Sequence, residues 1–521
     1  MTRYLLNRIL RSLFSIVIVV AVVMFLIYSC LDRELIFAND NGYVKTSSHA
    51  RTVHKMQKWE EFGYIDYVPY SDYLQGLRSE IGDETFNAAA VIADQADKDT
   101  EIVAQYVAKF TQEYQEKGYE VIRLDAEYMP KTTKYKNGGE PRLYAYKDIS
   151  LPARLWGYFS GIINVDNIHD VKADIEDRGL SFVWRDPAYG GEKFSPAIMG
   201  NGTTHKYLLY FDNIFPYVHQ NLVKINLGKS SGNGNYKGRD VFEVMTTSQG
   251  SFDKSLVTYP SGYAEESADD IHSLTYVAGS YTEGDKYYVD DYTNVSIKYD
   301  GMSKMGYSFV IGIISVIMAY VLAIPLGTML ALKKDKFVDK LGTLYIVFII
   351  AVPSLAYIFI FKALGGMMGL PTVFRLQNPT WLMYILPIIS LALPSVAGLM
   401  KWLRRYMIDQ MNSDYVKFAR SGGLSEGEIF RKHILKNAII PIAHGIPGAL
   451  LGSIVGAIIT ERVYVVPGAG NLLTEAINQY NNSVIVGMTL FYALLTVVSI
   501  IMGDILISMM DPRISFTAKK R

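Results

Sequence analysis

Six apolar stretches of membrane-spanning length constrain the fold of this 521-residue chain more than any other feature. A bilayer core of about 30 Å needs about 20 helical residues, because each residue adds about 1.5 Å. The sequence therefore predicts a polytopic α-helical membrane protein with six transmembrane helices. The predicted spans are 13–31, 307–332, 341–364, 381–400, 441–460 and 483–509.

The positions of lysine and arginine predict how these spans are oriented. If the N-terminus is cytoplasmic, nineteen of these residues lie on the cytoplasmic side and four on the short external flanks, Lys304, Lys362, Arg375 and Arg462. We therefore expect both termini in the cytoplasm. The first apolar stretch could be a cleaved secretory signal, but Tyr28 is a poor fit to a cleavage site, so we expect a retained helix.

This orientation places residues 32–300 outside the membrane as a large extracellular domain. The segment is acidic, with 41 Asp and Glu against 28 Lys and Arg. Helical spacing over 100–117, a glycine at 118 and a strand-like run at 119–124 predict an α+β fold. The chain has one cysteine, Cys30, so it can form no intrachain disulfide, which fits a bacterial surface.

No motif in the chain predicts catalysis. Gly228, Lys229 and Ser230 resemble the end of a phosphate-binding loop, but Val223 stands where the first glycine is required. His49 and His54 are five residues apart, which is not the spacing of a helical metal site. We therefore expect no catalytic residue, no metal site, no cofactor bound by this chain and no nucleic-acid partner.

A polar, basic stretch, residues 414–441, separates the fourth and fifth spans. Its pattern predicts a helix over 412–421, a tight turn at Gly422 and Gly423, and a second helix over 425–438 that begins with Ser425 as N-cap. Basic residues could simply hold such a loop inside and contact membrane lipid. That explanation covers the charge but not the layout of two helices joined by glycines.

This loop resembles the coupling loop of bacterial ABC importer permeases, whose pattern is Glu-Ala-Ala, three residues, Gly, nine residues, Ile-x-Leu-Pro. Ala419, Gly423 and Leu435 match the pattern. The departures are Lys417, Phe418, His433 and Lys436. DYVKFARSGGL followed by RKHILKNAIIP is similar to the oligopeptide and dipeptide permeases.

Three other segments carry the same resemblance: YLLNRILRSLFSIVIVV at the N-terminus, ERVYVVPGAGNLL after the fifth span, and GDILISMMDPRI near the C-terminus. The chain looks like the first transmembrane subunit of the dipeptide, oligopeptide and nickel importers, in the Gram-positive form with a large external insertion. The domains are then 1–31, 32–300 and 301–521, with the coupling loop at 401–440. An ABC type I importer permease architecture follows from the resemblance.

The resemblance implies a permease of an ATP-driven oligopeptide importer in the bacterial cell membrane. Its partners would be a second permease subunit, as a heterodimer, two ATP-binding subunits that carry ATP and Mg, and a lipid-anchored extracellular peptide-binding protein. The residues that would dock the ATPase are Ala419, Gly422, Gly423, Leu424, Ser425 and Leu435. The alternative is a membrane-anchored receptor or sensor for extracellular peptides, which would need neither six spans nor this loop.

The fifth span contains glycines mostly four residues apart, Gly445, Gly448, Gly452 and Gly456. Small residues at this spacing let helices approach closely. The helix that they contact could belong to a second permease subunit or to this chain. His444 is the ionisable residue of this span that we expect to line the pathway.

Overall fold

The computed structural model of the chain describes residues 2–172, 175, 177–186, 191–211, 217–231, 238–247, 255–258, 264–267, 271–276, 288–289, 301–376 and 379–510. The helices in chain order are α1 (Thr2–Cys30), α2 (Asn41–Lys45), α3 (Ser48–Glu61), α4 (Tyr70–Ala90), α5 (Glu101–Glu116), α6 (Leu151–Gly161), α7 (Val241–Thr246), α8 (Lys304–Leu332), α9 (Phe337–Ala351), α10 (Ser354–Met367), α11 (Leu382–Met411), α12 (Asp414–Ser421), α13 (Glu426–Ile429), α14 (Lys436–His444), α15 (Ile446–Tyr464), α16 (Ala469–Asn478) and α17 (Asn482–Met510).

All strands of the described chain lie between α3 and α8, and their pairing is antiparallel. They form one three-stranded sheet in the order β1-β3-β2, one four-stranded sheet in the order β5-β6-β7-β8, and the pairs β4-β9, β10-β11 and β12-β13. Their bounds are β1 (Ile65–Pro69), β2 (Glu120–Leu124), β3 (Arg142–Asp148), β4 (Ile163–Val165), β5 (Gly179–Val183), β6 (Ala197–Asn201), β7 (Tyr207–Phe211), β8 (Val218–Gln220), β9 (Val223–Ile225), β10 (Ser255–Thr258), β11 (Ala264–Ser267), β12 (Thr275–Tyr276) and β13 (Tyr288–Val289).

The helix predicted over 100–117 is confirmed as α5. The Thr100 hydroxyl accepts a hydrogen bond from the Val103 N–H and caps the helix. Gly118 follows the helix with φ +78°, a conformation that other residues rarely adopt, and β2 then begins. Phe110 on α5 is 0% exposed and packs with Leu74 of α4 against the three-stranded sheet. The α+β prediction therefore holds for this part of the chain.

Five helical segments are long and apolar enough to cross a membrane: 6–30, 304–332, 382–411, 426–464 and 482–506. The stretch predicted as the third span, 341–364, is divided between α9 and α10, which meet at an angle of 111° and make a sixth span only when the bent pair is counted as one. Pro353 lies at the break, and Val352 before it is extended, with φ −84° and ψ 131°. A proline disfavours the helical conformation of the preceding residue, which explains the break.

Two helices extend beyond the predicted boundaries. The helix of the fourth predicted span runs past residue 400, because α11 continues to Met411. The second helix of the basic loop does not stop at residue 438. It continues through Pro441 to His444, and α15 follows after Gly445, so that 426–464 is one nearly continuous helical rod. Pro441 is accommodated within this helix.

An ion pair holds α9 against α11. Arg404 donates from Nε and Nη2 to the two carboxylate oxygens of Asp339, both at 2.6 Å. Asp339 is buried, and it also accepts the Asp335 N–H at 2.9 Å. Such bidentate pairs between arginine and carboxylate are strong and directional, so the pair fixes the position of the start of α9 against α11.

We predict that Arg404→Ala destabilises the protein by about 3 kcal/mol, because it leaves the buried Asp339 carboxylate without its partner. Arg405→Ala is the matched control, since Arg405 is exposed and packs on Trp402. The measurement is the melting temperature of the purified protein in detergent. Equal shifts for the two variants would show that the ion pair is not what holds α9.

Candidate functional site

Residues 413–435 form a compact structure at the end of α11, which we call the knob. Its apolar core brings together Leu403 and Met407 of α11, Val416 of α12, and Ile429 and Ile434 of the following helix, all of them buried. Close packing of this kind makes a rigid unit. The knob is therefore attached firmly to α11 and to the helix that leads into α15.

The turn between α12 and α13 is confirmed where the sequence predicts it. Gly422 ends α12 with φ −77°, which any residue can adopt. Gly423 has φ +81°, and the Leu424 N–H donates to the Ala419 carbonyl at 3.2 Å. Ser425 is the N-cap of α13 and forms a capping box with Glu428. The positive φ requires glycine at 423 more than at 422.

A second contact closes the knob across this turn. Arg420 donates from Nε and Nη2 to the Glu426 carboxylate at 2.6 and 3.1 Å. The carboxylate raises the pKa of the Arg420 guanidinium above its usual range. At the start of α12, the Lys417 ammonium lowers the pKa of Asp414. Both pairs lie on the surface, where they orient side chains and add little stability.

Residues 430–435 adopt a π-helix between α13 and α14. A π-helical turn contains one extra residue, and such turns are frequent at functional sites. Here it lies between the knob and the rod that leads into α15. No sequence signal indicated it, because the backbone hydrogen-bond register of a helix is not specified by residue type.

The predicted docking residues fall into two groups according to their exposure in the knob. Gly422, Gly423 and Ser425 are exposed. Ala419, Leu424 and Leu435 are partly buried and pack against the core of the knob, so they hold it together.

Sequence reasoning missed Phe418, which is 76% exposed at the surface of α12. The strongly amphipathic pattern of α12 could have revealed it, since this phenylalanine stands on the polar side of the helix.

The glycine-rich face of α15 does not pack against another helix of the described chain. A Cβ atom added at Gly448 or Gly452 would meet no atom within 4 Å. Ser453 and Ile454, in contrast, pack against Gly312 of α8. The surroundings of Gly456 lie outside the described residues.

Gly445 and His444 lie close to other groups of the chain. A Cβ atom added at Gly445 would lie 3.2 Å from the Ile442 carbonyl oxygen and 3.7 Å from the Tyr320 hydroxyl. His444 Nδ1 lies 2.9 Å from the carbonyl oxygen of Gly503 on α17, and the residue remains exposed on its other side. His444 thus links α14 to α17.

A buried carboxylate fixes the loop between α15 and α16. Glu461 is 0% exposed, and it accepts the Ser308 hydroxyl of α8 and the Asn471 N–H at 3.0 Å. Ser308 in turn accepts the Ala469 N–H at 2.7 Å. This network anchors the start of α16 to α8, and a Cβ on Gly468 would collide with the Glu461 carboxylate.

Within the described residues, no group of three or more His, Cys, Asp or Glu side chains is arranged to hold a metal ion. The polar groups of the knob form hydrogen bonds and surface ion pairs, and the bond from the Ser425 hydroxyl to the Glu428 carboxylate belongs to the cap of α13. The knob is a rigid, exposed protrusion that another protein can bind.

Known proteins resemble this chain along its whole length. Residues 323–516 match the family described as the inner membrane component of binding-protein-dependent transport systems. The oligopeptide transport system permease protein AmiC of Streptococcus pneumoniae is 33% identical over 100% of this chain and 99% of its own length. The dipeptide transport system permease protein DppB of Bacillus subtilis is 29% identical over 41% of this chain and 68% of its own length.

These alignments differ in what they cover. The pneumococcal relative includes a counterpart of the region between α1 and α8, whereas the shorter Bacillus relative matches less than half of the chain. Among solved structures, the MetNI methionine ABC transporter is 12% identical over 40% of this chain and 94% of its own, with a TM-score of 0.34, too low to show a shared fold.

We predict that Gly423→Ala loosens the knob, because alanine in the left-handed conformation costs about 1–2 kcal/mol. Backbone amides of α12 and α13 should then exchange with solvent about tenfold faster. Gly422→Ala is the control and should change little, since its backbone is ordinary. Hydrogen exchange followed by mass spectrometry measures both, and equal protection in the two variants would contradict the assigned turn.

Proposed function

Because the chain belongs to the family of binding-protein-dependent transport permeases, we propose that it forms half of the translocation pathway of an ATP-driven oligopeptide importer. It is a multi-pass membrane transport component, and ATP hydrolysis resides on separate subunits. The peptide cargo rests on the names of the pneumococcal and Bacillus relatives, which are oligopeptide and dipeptide permeases.

The observation that carries the coupling role is the exposed phenylalanine on a rigid knob. An aromatic side chain that projects into water is suited to fill a groove on a partner, and such residues often dominate binding energy. Phe418 lies one helical turn before Gly422, whose N–H donates to the Phe418 carbonyl at 2.9 Å, and its side chain is absent from the buried core of the knob. We assign the surface around Phe418 to contact with an ATP-binding subunit.

Mechanical continuity supports the same assignment. The knob core joins α11 and α12 to the rod 426–464, which is 39 residues long. At 1.5 Å per residue this rod spans about 58 Å, more than the thickness of a bilayer. Closure of two ATPase subunits against Phe418 would therefore tilt α14 and α15 as one body. Alternating access requires such rigid-body motion.

A second permease subunit is the partner that we assign to the glycine face of α15. Gly448 and Gly452 are exposed and have open space beside them, which is what close approach of another helix requires. His444 lies one turn away and is exposed next to α17. In a heterodimer it would line the pathway near this contact.

We place both termini in the cytoplasm and residues 32–300 outside. The excess of lysine and arginine around the knob, α9 and the termini supports this orientation. The external region is acidic, and its described part contains a three-stranded sheet, a four-stranded sheet and several helices. We propose that a lipid-anchored peptide-binding protein docks on this region. ATP and Mg would be bound by the partner subunits.

We predict that Phe418→Ala reduces peptide uptake at least tenfold and weakens co-purification of the ATP-binding subunits. The loss follows from removal of the aromatic anchor, since truncation of such a residue commonly costs 2 kcal/mol or more, about thirtyfold in affinity. Lys417→Ala is the matched control, because that side chain is also exposed and adjacent. Uptake of a labelled peptide and pull-down of the intact complex are measured together.

Two results would reject the proposal. Normal uptake by a Phe418→Ala complex would exclude this residue as the anchor. Reproducible absence of ATP-binding subunits from the wild-type preparation would favour the alternative role as a membrane-anchored peptide receptor or sensor.

The orientation is tested with cysteines introduced after Cys30→Ser. A membrane-impermeant maleimide should label Asp97→Cys in intact cells and should label Lys417→Cys only after the membrane is opened, because both positions are exposed in the fold. Labelling of Lys417→Cys in intact cells would reverse the assigned topology.

A further inference from the structure

A cavity of about 290 Å³ lies where the outer ends of α1 and α17 meet α6. Its walls are of two kinds. Met24, Leu227 and Val486 make an apolar wall, and Arg154 with Lys229 makes a polar one. The proposed coupling mechanism does not use this cavity, since the knob lies at the opposite end of the spans.

Arg154 gives the cavity a positive charge and hydrogen-bond donors. Its Nη2 donates to the Tyr64 carbonyl at 2.6 Å, and its guanidinium carbon lies 4.9 Å from the Tyr28 ring and 4.8 Å from the Tyr64 ring. The Nε atom is buried without a hydrogen-bond partner among the described residues. Among the described residues, the Nη1 atom of Arg154 also has no hydrogen-bond partner. No carboxylate of those residues lies within ion-pair distance of this arginine.

The acidic residues nearby are already engaged by other cations. Glu61 lines the cavity, but its carboxylate is paired with Lys58. Asp148 accepts from Arg33 at 2.7 Å. Lys229 adds a second positive charge to the cavity wall. The cavity therefore has an excess of positive charge, although burial lowers the pKa of Arg154 and makes a lone charge costly there.

The position of the cavity along α1 and α17 indicates which part of the membrane lies beside it. Met24 lies six residues before the end of α1, about 9 Å below it, and Val486 lies four residues into α17. With the orientation that we propose above, this depth corresponds to the boundary between the hydrocarbon core and the headgroups of the outer leaflet. Trp156 on α6 is 76% exposed beside it, and tyrosines surround the arginine, as is typical of residues at a membrane interface.

We propose that this cavity binds one anionic phospholipid of the outer leaflet, with its phosphate on Arg154 and its glycerol and upper acyl chain against Met24 and Val486. A guanidinium with free donors is the group best suited to a phosphate. The two-sided wall matches a molecule that is charged at one end and apolar at the other. A bound lipid would thus join the external region to α1 and α17.

A peptide carboxylate is the competing anion, and the apolar wall argues against it. A peptide of variable sequence has no fixed apolar chain to place against Met24, Leu227 and Val486, whereas every phospholipid has one.

The test uses the intact transporter purified in detergent and titrated with phosphatidylglycerol, with retained lipid counted by native mass spectrometry. Arg154→Gln should weaken binding about tenfold, because hydrogen bonds to charged groups are strong. Arg154→Lys should recover part of the affinity. Arg142→Ala is the matched control, since Arg142 is an exposed arginine of the same region and should bind lipid like the wild type.

A second variant separates binding from stability, since Arg154→Gln also removes a bond to Tyr64. A Cβ on Gly157 would meet no atom within 4 Å, so Gly157→Leu should fold and fill the cavity, whereas Gly157→Ala should leave room for lipid. Loss of bound phosphatidylglycerol in Gly157→Leu alone supports the site. Equal lipid in both variants, equal binding of soluble glycerol phosphate, or displacement of the lipid by a short peptide would each overturn the proposal.

Discussion

A polar group buried where helices pack must find its partner inside the protein, because the apolar side chains and lipid around it offer none. The arrangement of the spans follows from this constraint. Asp339 fixes α9 through Arg404, and Glu461 fixes the start of α16 through Ser308. Lys362 donates to the Val463 carbonyl at 2.6 Å. Each bond connects helices that are distant in sequence, so that these few groups set helix angles that apolar packing alone would leave free.

The knob depends on a different interaction, the burial of apolar side chains outside the bilayer. Val416 and Ile429 complete a core that begins on α11, and the rod 426–464 leads from that core through the membrane. Because the knob core and the rod are packed together, a force on Phe418 is transmitted to α15. The hydrogen bonds of Glu461 lie at the far end of that rod. The π-helical turn at 430–435 and the interruption at Gly445 between α14 and α15 are irregular elements of the rod.

A separate set of contacts connects the α+β region to the outer ends of the spans. The α+β region meets α1 and α17 around Arg154, where Asn482 of α17 also donates to the Tyr64 hydroxyl at 2.7 Å. A lipid bound in the cavity would strengthen this joint, and the region would then move with the spans rather than independently of them.

The sequence by itself determined the class of the protein, most span positions, the α5 helix, the Gly423 turn and the Ser425 cap. These features depend on local physics: the length of apolar runs, helical periodicity and the allowed φ of glycine. The break at Pro353 was also readable in principle, but a proline within an apolar run can either kink a helix or end it. Only the tertiary structure decided that α13 to α15 form one rod, that Leu435 packs against the core of the knob while Phe418 is exposed, and that Arg154 faces a cavity in which the Glu61 carboxylate is paired with Lys58 instead. Those outcomes depend on contacts between residues far apart in the chain, and residue type and spacing do not encode them individually.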